Sequence, residues 1–403
     1  MICKINKGQA HGSITAPPSK SMAHRLLICA ALSEGSVVRN VAFSKDIEAT
    51  LGCLRALGAS IEVENDTVKI GGVDILNNIA SNQLFCNESG STLRFMIPLC
   101  LLFGREITLS GSERLFSRSL SVYKEIAEKQ NIIFESTENS VRVNGTLKCG
   151  EYNVRGDISS QFISGLMFAL PLLSGDSVIN IEGNLESGSY IRLTLKALKD
   201  FGIDIEFKDN KTIYIKGGQK YRSGEFFVEG DYSNAAFFDA LNILGNDVAV
   251  SGLEADSAQG DKVYKKYFDL LKSENAVIDI CDCPDLGPIL IAVAAALNGG
   301  EFTGTRRLKI KESDRGNAMK AELAKMGVDI IVEDNRIIVP KSELKAPALP
   351  INGHNDHRIV MSMAVLLTLT GGIIEGAEAV SKSFPDFFEK LNLSGNLAEV
   401  IEE

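Results

Sequence analysis

A long internal repeat limits this chain to a small set of folds. Leu54-Arg55-Ala56-Leu57-Gly58 leads into the alternating Ile61-Glu62-Val63. Leu198-Lys199-Asp200-Phe201-Gly202 leads into Ile203-Asp204-Ile205-Glu206, and Leu323-Ala324-Lys325-Met326-Gly327 into Val328-Asp329-Ile330-Ile331. Each piece reads as an amphipathic helix stopped by glycine and followed by a strand. A polar turn and a second strand follow at 68–70, 213–215 and 337–339. Gly58 and Gly202 stand 144 positions apart (202 − 58), twice 72, and a weaker copy at 132–135 and 141–143 fills the gap.

The other half of the repeat is a polar loop that opens an apolar helix and ends in a glycine turn and a strand. The openings lie near Ser21, Gly90, Ser160, Ser233, Asp285 and Asp356, ahead of helices that include 26–32, 93–102, 162–172, 235–244, 289–297 and 359–369. This predicts six units of the form βαβαββ, a length of repeat that packs as supersecondary blocks. The sixth unit is expected to lack its closing strands, because little chain follows Leu391. Residues 2–16 read as strand plus turn and would fill that vacancy. The predicted organisation is therefore a discontinuous domain of 1–19 with 230–403 and an inserted domain of 20–229. The chain would cross between them near Pro17-Pro18 and Glu229-Gly230, and a cleft between domains is a usual place for a ligand.

The formal net charge of −10 argues against nucleic acid or an anionic membrane as partner. A small anion remains compatible if the basic residues gather in one place. Of the eight cysteines, none forms a CxxC, and the CxC of Cys281 and Cys283 lacks a second ligand pair, so no metal is expected. Free thiols in a core-forming chain fit a reducing compartment. Residues 1–7 hold no apolar core for a signal peptide, and the longest apolar run, 95–103, falls far short of the ~20 residues of a membrane helix. A cytoplasmic location is the expectation.

The unusual polar residues collect in the loops that open the helices. These are Ser19-Lys20-Ser21 with Arg25, Glu88-Ser89-Gly90-Ser91-Thr92 with Arg94, Ser159-Ser160-Gln161, Asp285, and Asn355-Asp356-His357-Arg358. Serine and threonine there can serve as N-caps and nothing more. A cation beside a helix N-terminus, however, is unfavourable unless an anion sits between them. Further charged segments, 111–118, 309–315 and 381–386, recur at equivalent places in successive repeats, which favours convergence on one site over scattered solvated faces.

Pro18-Ser19-Lys20-Ser21-Met22-Ala23-His24-Arg25, Ser89-Gly90-Ser91-Thr92-Leu93-Arg94-Phe95, Arg307 to Arg315, Asn355 to Arg358, and Lys382-Ser383-Phe384-Pro385-Asp386-Phe387-Phe388 together resemble the enolpyruvyl transferase family, and within it the branch acting on shikimate 3-phosphate. The resemblance spans nearly the whole chain. It implies an α/β fold of two domains, each of three βαβαββ units with helix N-termini facing an interdomain cleft, an inside-out α/β barrel. It implies transfer of the enolpyruvyl group of phosphoenolpyruvate to shikimate 3-phosphate by a monomer without a metal or organic cofactor. Lys20, Ser21, Arg25, Ser159, Ser160, Gln161, Ser187, Asp285 and Lys311 would hold shikimate 3-phosphate, with Tyr190 beside its ring. Lys20, Gly90, Arg118, Gln161, Arg315, Arg358 and Lys382 would hold phosphoenolpyruvate. Asp285, Glu312 and Lys20 would move the protons. Both substrates are multiply anionic, and the seven cations in these sets would offset their repulsion.

Three positions depart from the family pattern. Glu88 stands where asparagine is usual, Ser91 where threonine is common, and Arg307 where asparagine often meets the shikimate phosphate. A charge at Glu88 beside an anion site would be neutralised by Arg94 or Arg307, and inhibitor sensitivity and affinity are the properties these changes touch. The sister branch acting on UDP-N-acetylglucosamine uses a cysteine acid in a loop of the second repeat. The matching stretch here, 110–119, has no cysteine. RNA-phosphate cyclases share part of the repeat but are disfavoured by the acidic balance. A two-domain binding protein for a phosphorylated metabolite would need the cations but not Asp285 or Glu312.

Overall fold

The computed structural model describes residues 1–74 and 79–402. The chain divides into two compact units, Met1–Pro17 with Gly230–Glu403 (the split unit) and Pro18–Glu229 (the continuous unit). Pro18 and Ser19 thus fall on the continuous side of the first crossing.

Among the described residues, five four-stranded sheets share one order, in which the first two strands are parallel and the third and fourth add antiparallel. In four of them a helix links the two parallel strands, as a parallel pair requires, and in every repeat an apolar helix leads into one strand of such a pair. In the continuous unit these helices are Lys20–Leu32, Gly90–Cys100 and Ser160–Ala169; in the split unit, Tyr232–Ile243, Gly287–Ala296 and His357–Thr370. They are apolar nearly all round and buried accordingly. Second helices, such as Lys45–Ala56, Gly188–Asp200 and Arg315–Lys325, lead into the closing strands.

Two expectations are corrected. The sixth repeat does not lack all its closing strands, because Ala398–Glu402 forms one of them. Strand Ile2–Ile5 supplies the other, lying between Gly372–Glu375 and Ala398–Glu402 and antiparallel to both. The N-terminal stretch is also shared out. Its second strand, His11–Thr15, pairs in parallel with Asp247–Ser251 of the fourth repeat. That repeat stops at two strands, so the βαβαββ form is incomplete there. The first repeat borrows in the same way, since Glu225–Phe227 pairs in parallel with Ser36–Arg39. At each crossing a strand that completes one unit is thus followed directly by a helix of the other.

The cores are aromatic where they back the polar loops. In the continuous unit Phe95 meets Phe168 edge-on at 5.3 Å, and Tyr123 meets Phe162 at 4.9 Å. In the split unit Phe238, Phe384 and Phe387 pack with centroids 5.6 to 6.0 Å apart. This cluster seats the short 3-10 segment Ala377–Lys382 that ends in a lysine.

Candidate active site

In the continuous unit, Ser19 caps its helix by accepting the N–H of Met22, so Lys20 and Ser21 form the first turn. The Lys20 ammonium donates to Asp46 at 2.8 Å. Arg25, one turn on, is buried. It donates to the Ser21 carbonyl at 2.6 Å, to Thr194 Oγ1 at 2.8 Å and to the Tyr190 carbonyl at 3.1 Å, and lies over the Phe95 ring at 5.3 Å. This one guanidinium ties the Ser21 turn to the Gly188–Asp200 helix, whose N-cap Ser187 adopts a left-handed conformation at φ 58°. Burial pushes Arg25 down to about 10.

Gly90 begins the next helix, and its missing side chain matters. A Cβ there would lie 2.7 Å from Arg118 Nη1 and 2.9 Å from Arg94 Nη1. Two guanidinium groups therefore crowd the positive end of one helix, an arrangement that an anion would relieve. Arg94 also donates to Gln161 Oε1 at 2.9 Å, and Gln161 donates to Ser91 Oγ at 2.9 Å, joining the second and third repeats. Ser159 spends its hydroxyl on capping Gln161 N–H, and both Ser159 and Ser160 are buried. Behind these loops runs a buried chain of side chains. His24 Nδ1 meets Thr50 Oγ1 at 2.8 Å, Thr50 meets Thr92 Oγ1 at 2.7 Å, and Thr92 donates to Ser89 Oγ at 2.7 Å. Burial, with Lys20 and Arg25 adding to it, holds His24 well below its usual range.

In the split unit the predicted residues meet around Asp285 and Arg315. Asp285 Oδ1 accepts from Lys311 Nζ at 2.9 Å and from Arg315 Nη1 at 2.8 Å, and its Oδ2 from Arg358 Nη2 at 3.4 Å. Arg315, only 1% exposed, also donates to Glu312 at 2.6 Å and to Asp356 at 2.9 Å. Asp356 is shared, because its Oδ1 caps the His357–Thr370 helix through the Arg358 N–H and its Oδ2 accepts from Ser313. Burial would raise the Asp285 carboxyl, but Lys311, Arg358 and Arg315 outweigh it and hold the group well below the usual carboxylate range. Burial drives Lys311 the other way, down to about 8, with Asp285 opposing and Arg307 and Arg315 reinforcing. Arg358 Nε and Nη1 are buried and find no acceptor among the described residues. Lys382 donates to the Asn355 carbonyl at 2.7 Å.

The predicted residues therefore gather in two sets. Gly90, Arg118 and Gln161 meet through Arg94, with Lys20, Ser21 and Arg25 on the neighbouring helix. Asp285, Lys311, Glu312, Arg315 and Arg358 share one ion-pair network, with Lys382 at the end of the segment Ala377–Lys382. Sequence reasoning passed over Asp46, which reads as an ordinary acidic residue in a first helical turn. It also gave Asp356 no role beyond its motif, although the N-cap position before an apolar helix marked it. Arg94, expected as a loop cation facing Glu88, lies beside Gly90 and donates to Gln161.

The model of the family described as EPSP synthase (3-phosphoshikimate 1-carboxyvinyltransferase) matches residues 5–391. A 3-phosphoshikimate 1-carboxyvinyltransferase of Clostridium kluyveri is 42% identical, with 98% of each chain covered, and one of Clostridium novyi is 41% identical with the same coverage. Among solved structures, EPSP synthase of Acinetobacter baumannii superposes with a TM-score of 0.79 over 100% of both chains at 24% identity. The enolpyruvyl transferase NikO of Streptomyces tendae gives 0.76 over 99% of this chain and 98% of its own at 13% identity. These two likenesses bear on the fold alone.

Proposed function

Since the chain belongs to the EPSP synthase family, we propose that it transfers the enolpyruvyl group of phosphoenolpyruvate to the 5-hydroxyl of shikimate 3-phosphate and releases phosphate. The observation that carries this reading is the cation set around one carboxylate in the split unit, found in a chain whose match to the family runs from residue 5 to 391. Lys20, Ser21, Arg25, Ser159, Ser160, Gln161, Ser187, Asp285 and Lys311 bind shikimate 3-phosphate. Lys20, Gly90, Arg118, Gln161, Arg315, Arg358 and Lys382 bind phosphoenolpyruvate. Arginine suits the latter, because its fork matches carboxylate and phosphate oxygens two at a time. The chain works as a cytoplasmic monomer in this reading.

The reaction is an addition followed by an elimination. Asp285 removes the proton of the 5-hydroxyl, and that oxygen bonds to C2 of phosphoenolpyruvate while Lys20 or Glu312 delivers a proton to C3. The tetrahedral adduct then loses phosphate from C2 and a proton from C3, which restores the double bond. Asp285 with three cations on it is a poor base. Substrate anions that draw Lys311 and Arg358 onto themselves weaken that grip, and the carboxylate then gains proton affinity at the moment the hydroxyl arrives. Arg315 is the least available of the cations, since three carboxylates already occupy it. Its proposed contribution to phosphoenolpyruvate binding runs through the remaining Nη1 hydrogen. Mixing both substrates with the protein and measuring inorganic phosphate tests the reading; binding of both without release would instead favour a metabolite-binding module.

A further inference from the structure

The helix Arg315–Lys325 grips the segment ahead of the His357–Thr370 helix at two places. At its first residue, Arg315 donates to Asp356 at 2.9 Å. Two turns later Glu322, only 2% exposed, accepts the backbone N–H of Asn352 at 2.8 Å and the Lys325 ammonium at 2.7 Å, and pairs with His354 Nε2 at 2.8 Å. Between these anchors the backbone passes through two successive left-handed residues that are not glycine, His354 and Asn355, both at φ 50°. Such residues persist where surrounding contacts over-determine them. The carbonyl of Asn355 is the acceptor for Lys382.

We infer that Glu322 is a positioning residue for the reaction. Through His354 and Asn352 it fixes the left-handed turn, and the turn sets where the Asn355 carbonyl stands and hence where the Lys382 ammonium is held to meet an anionic substrate. Burial would raise the Glu322 carboxyl, but His354, Lys325 and the Asn352 N–H bring it below its usual range, as suits a carboxylate that takes three donors. Glu322 itself need touch no substrate. The inference rests on the proposed reaction only for the identity of the anion, phosphoenolpyruvate.

The test uses the full chain and three variants. His354→Asn keeps a residue that tolerates the left-handed region but is too short to reach Glu322; His354→Gln keeps the reach and a donor. Lys325→Met removes a partner of Glu322 that also holds the Pro350 carbonyl, upstream of the turn. The expected result is a rise of about five- to tenfold in KM for phosphoenolpyruvate in His354→Asn, the size of one lost hydrogen bond of ordinary strength. Its kcat stays near that of the parent, and its thermal midpoint falls no further than that of Lys325→Met. His354→Gln recovers the parent KM, and Lys325→Met keeps it while lowering the midpoint. An unchanged KM in His354→Asn, or equal losses in the Asn and Gln variants, overturns the inference. Calorimetric titration with phosphoenolpyruvate alone runs beside the kinetics. A parent protein that binds phosphoenolpyruvate but releases no phosphate ends the proposed reaction and leaves the titration to judge Glu322. A parent that neither binds nor turns over ends both.

Discussion

Asp285 meets three cations, and its replacement separates two roles. Asp285→Asn removes the proposed base and is expected to cut phosphate release by about 10²- to 10⁴-fold. It also leaves Lys311, Arg315 and Arg358 facing one another, a loss of about 3 kcal/mol for a mostly buried pair broken from one side. Near-normal turnover in this variant would remove Asp285 from the mechanism. Acid titration gives a second handle. The folded-state value of Asp285 is depressed, so its contribution to stability is complete above the ordinary carboxylate value near 4 and is lost as pH falls through the lower folded value. The parent should therefore lose thermal midpoint more steeply than Asp285→Asn below about pH 4. Lys311 sets the alkaline side. Held near 8, it loses its charge as pH rises past that point, and kcat/KM for shikimate 3-phosphate should fall by up to about tenfold per unit above it. Lys311→Arg stays cationic and should abolish that limb.

Among the elements, two glycines in helices invite opposite outcomes. At Gly90 a methyl group would meet the far ends of two flexible arginines. Gly90→Ala should fold with a near-parental midpoint while displacing Arg118 and Arg94 and raising KM for phosphoenolpyruvate about tenfold. At Gly165 the added carbon would lie 2.5 Å from the backbone oxygen of Arg94 and would also run into the Tyr123 hydroxyl, itself hydrogen-bonded to that same oxygen. There the helices Gly90–Cys100 and Ser160–Ala169 must move apart. Gly165→Ala should cost about 1–3 kcal/mol by overpacking, read by chemical denaturation, with activity per folded molecule falling as Arg94 shifts.

At the scale of the molecule, the place of the strands at the crossings decides what can fold alone. All three sheets of the continuous unit are built from its own chain, so residues 18–229 should give a cooperative unfolding transition as an isolated fragment. Residues 230–403 should not. Without 1–17 the strands Gly372–Glu375 and Ala398–Glu402 lose the partner between them, and Asp247–Ser251 loses His11–Thr15. The buried Ile5 and Ile14 alone represent about 3–6 kcal/mol of burial, against a typical total of about 5–15. Calorimetry of the two fragments checks this, and a sharp transition in 230–403 would contradict the pairing.

The repeat, the helices and the loops that carry polar residues were legible in the chain itself, because periodicity, glycine stops and serine or aspartate caps act over neighbours a few residues apart. That locality marked helix openings near Ser21, Gly90, Ser160 and Asp356, and put Lys20, Gly90 and Arg358 near first turns. Pairing across long separations was legible only where the repeat left a vacancy, as for the N-terminal strand in the sixth unit. Nothing local tells that Ile2–Ile5 is flanked by Ala398–Glu402, that Asp46 takes up the Lys20 ammonium, or that Glu322, an acidic residue on an ordinary amphipathic helix, is buried against His354. Such choices depend on which backbone donors and charges are left without water once the helices and sheets have packed, and only the assembled core decides that.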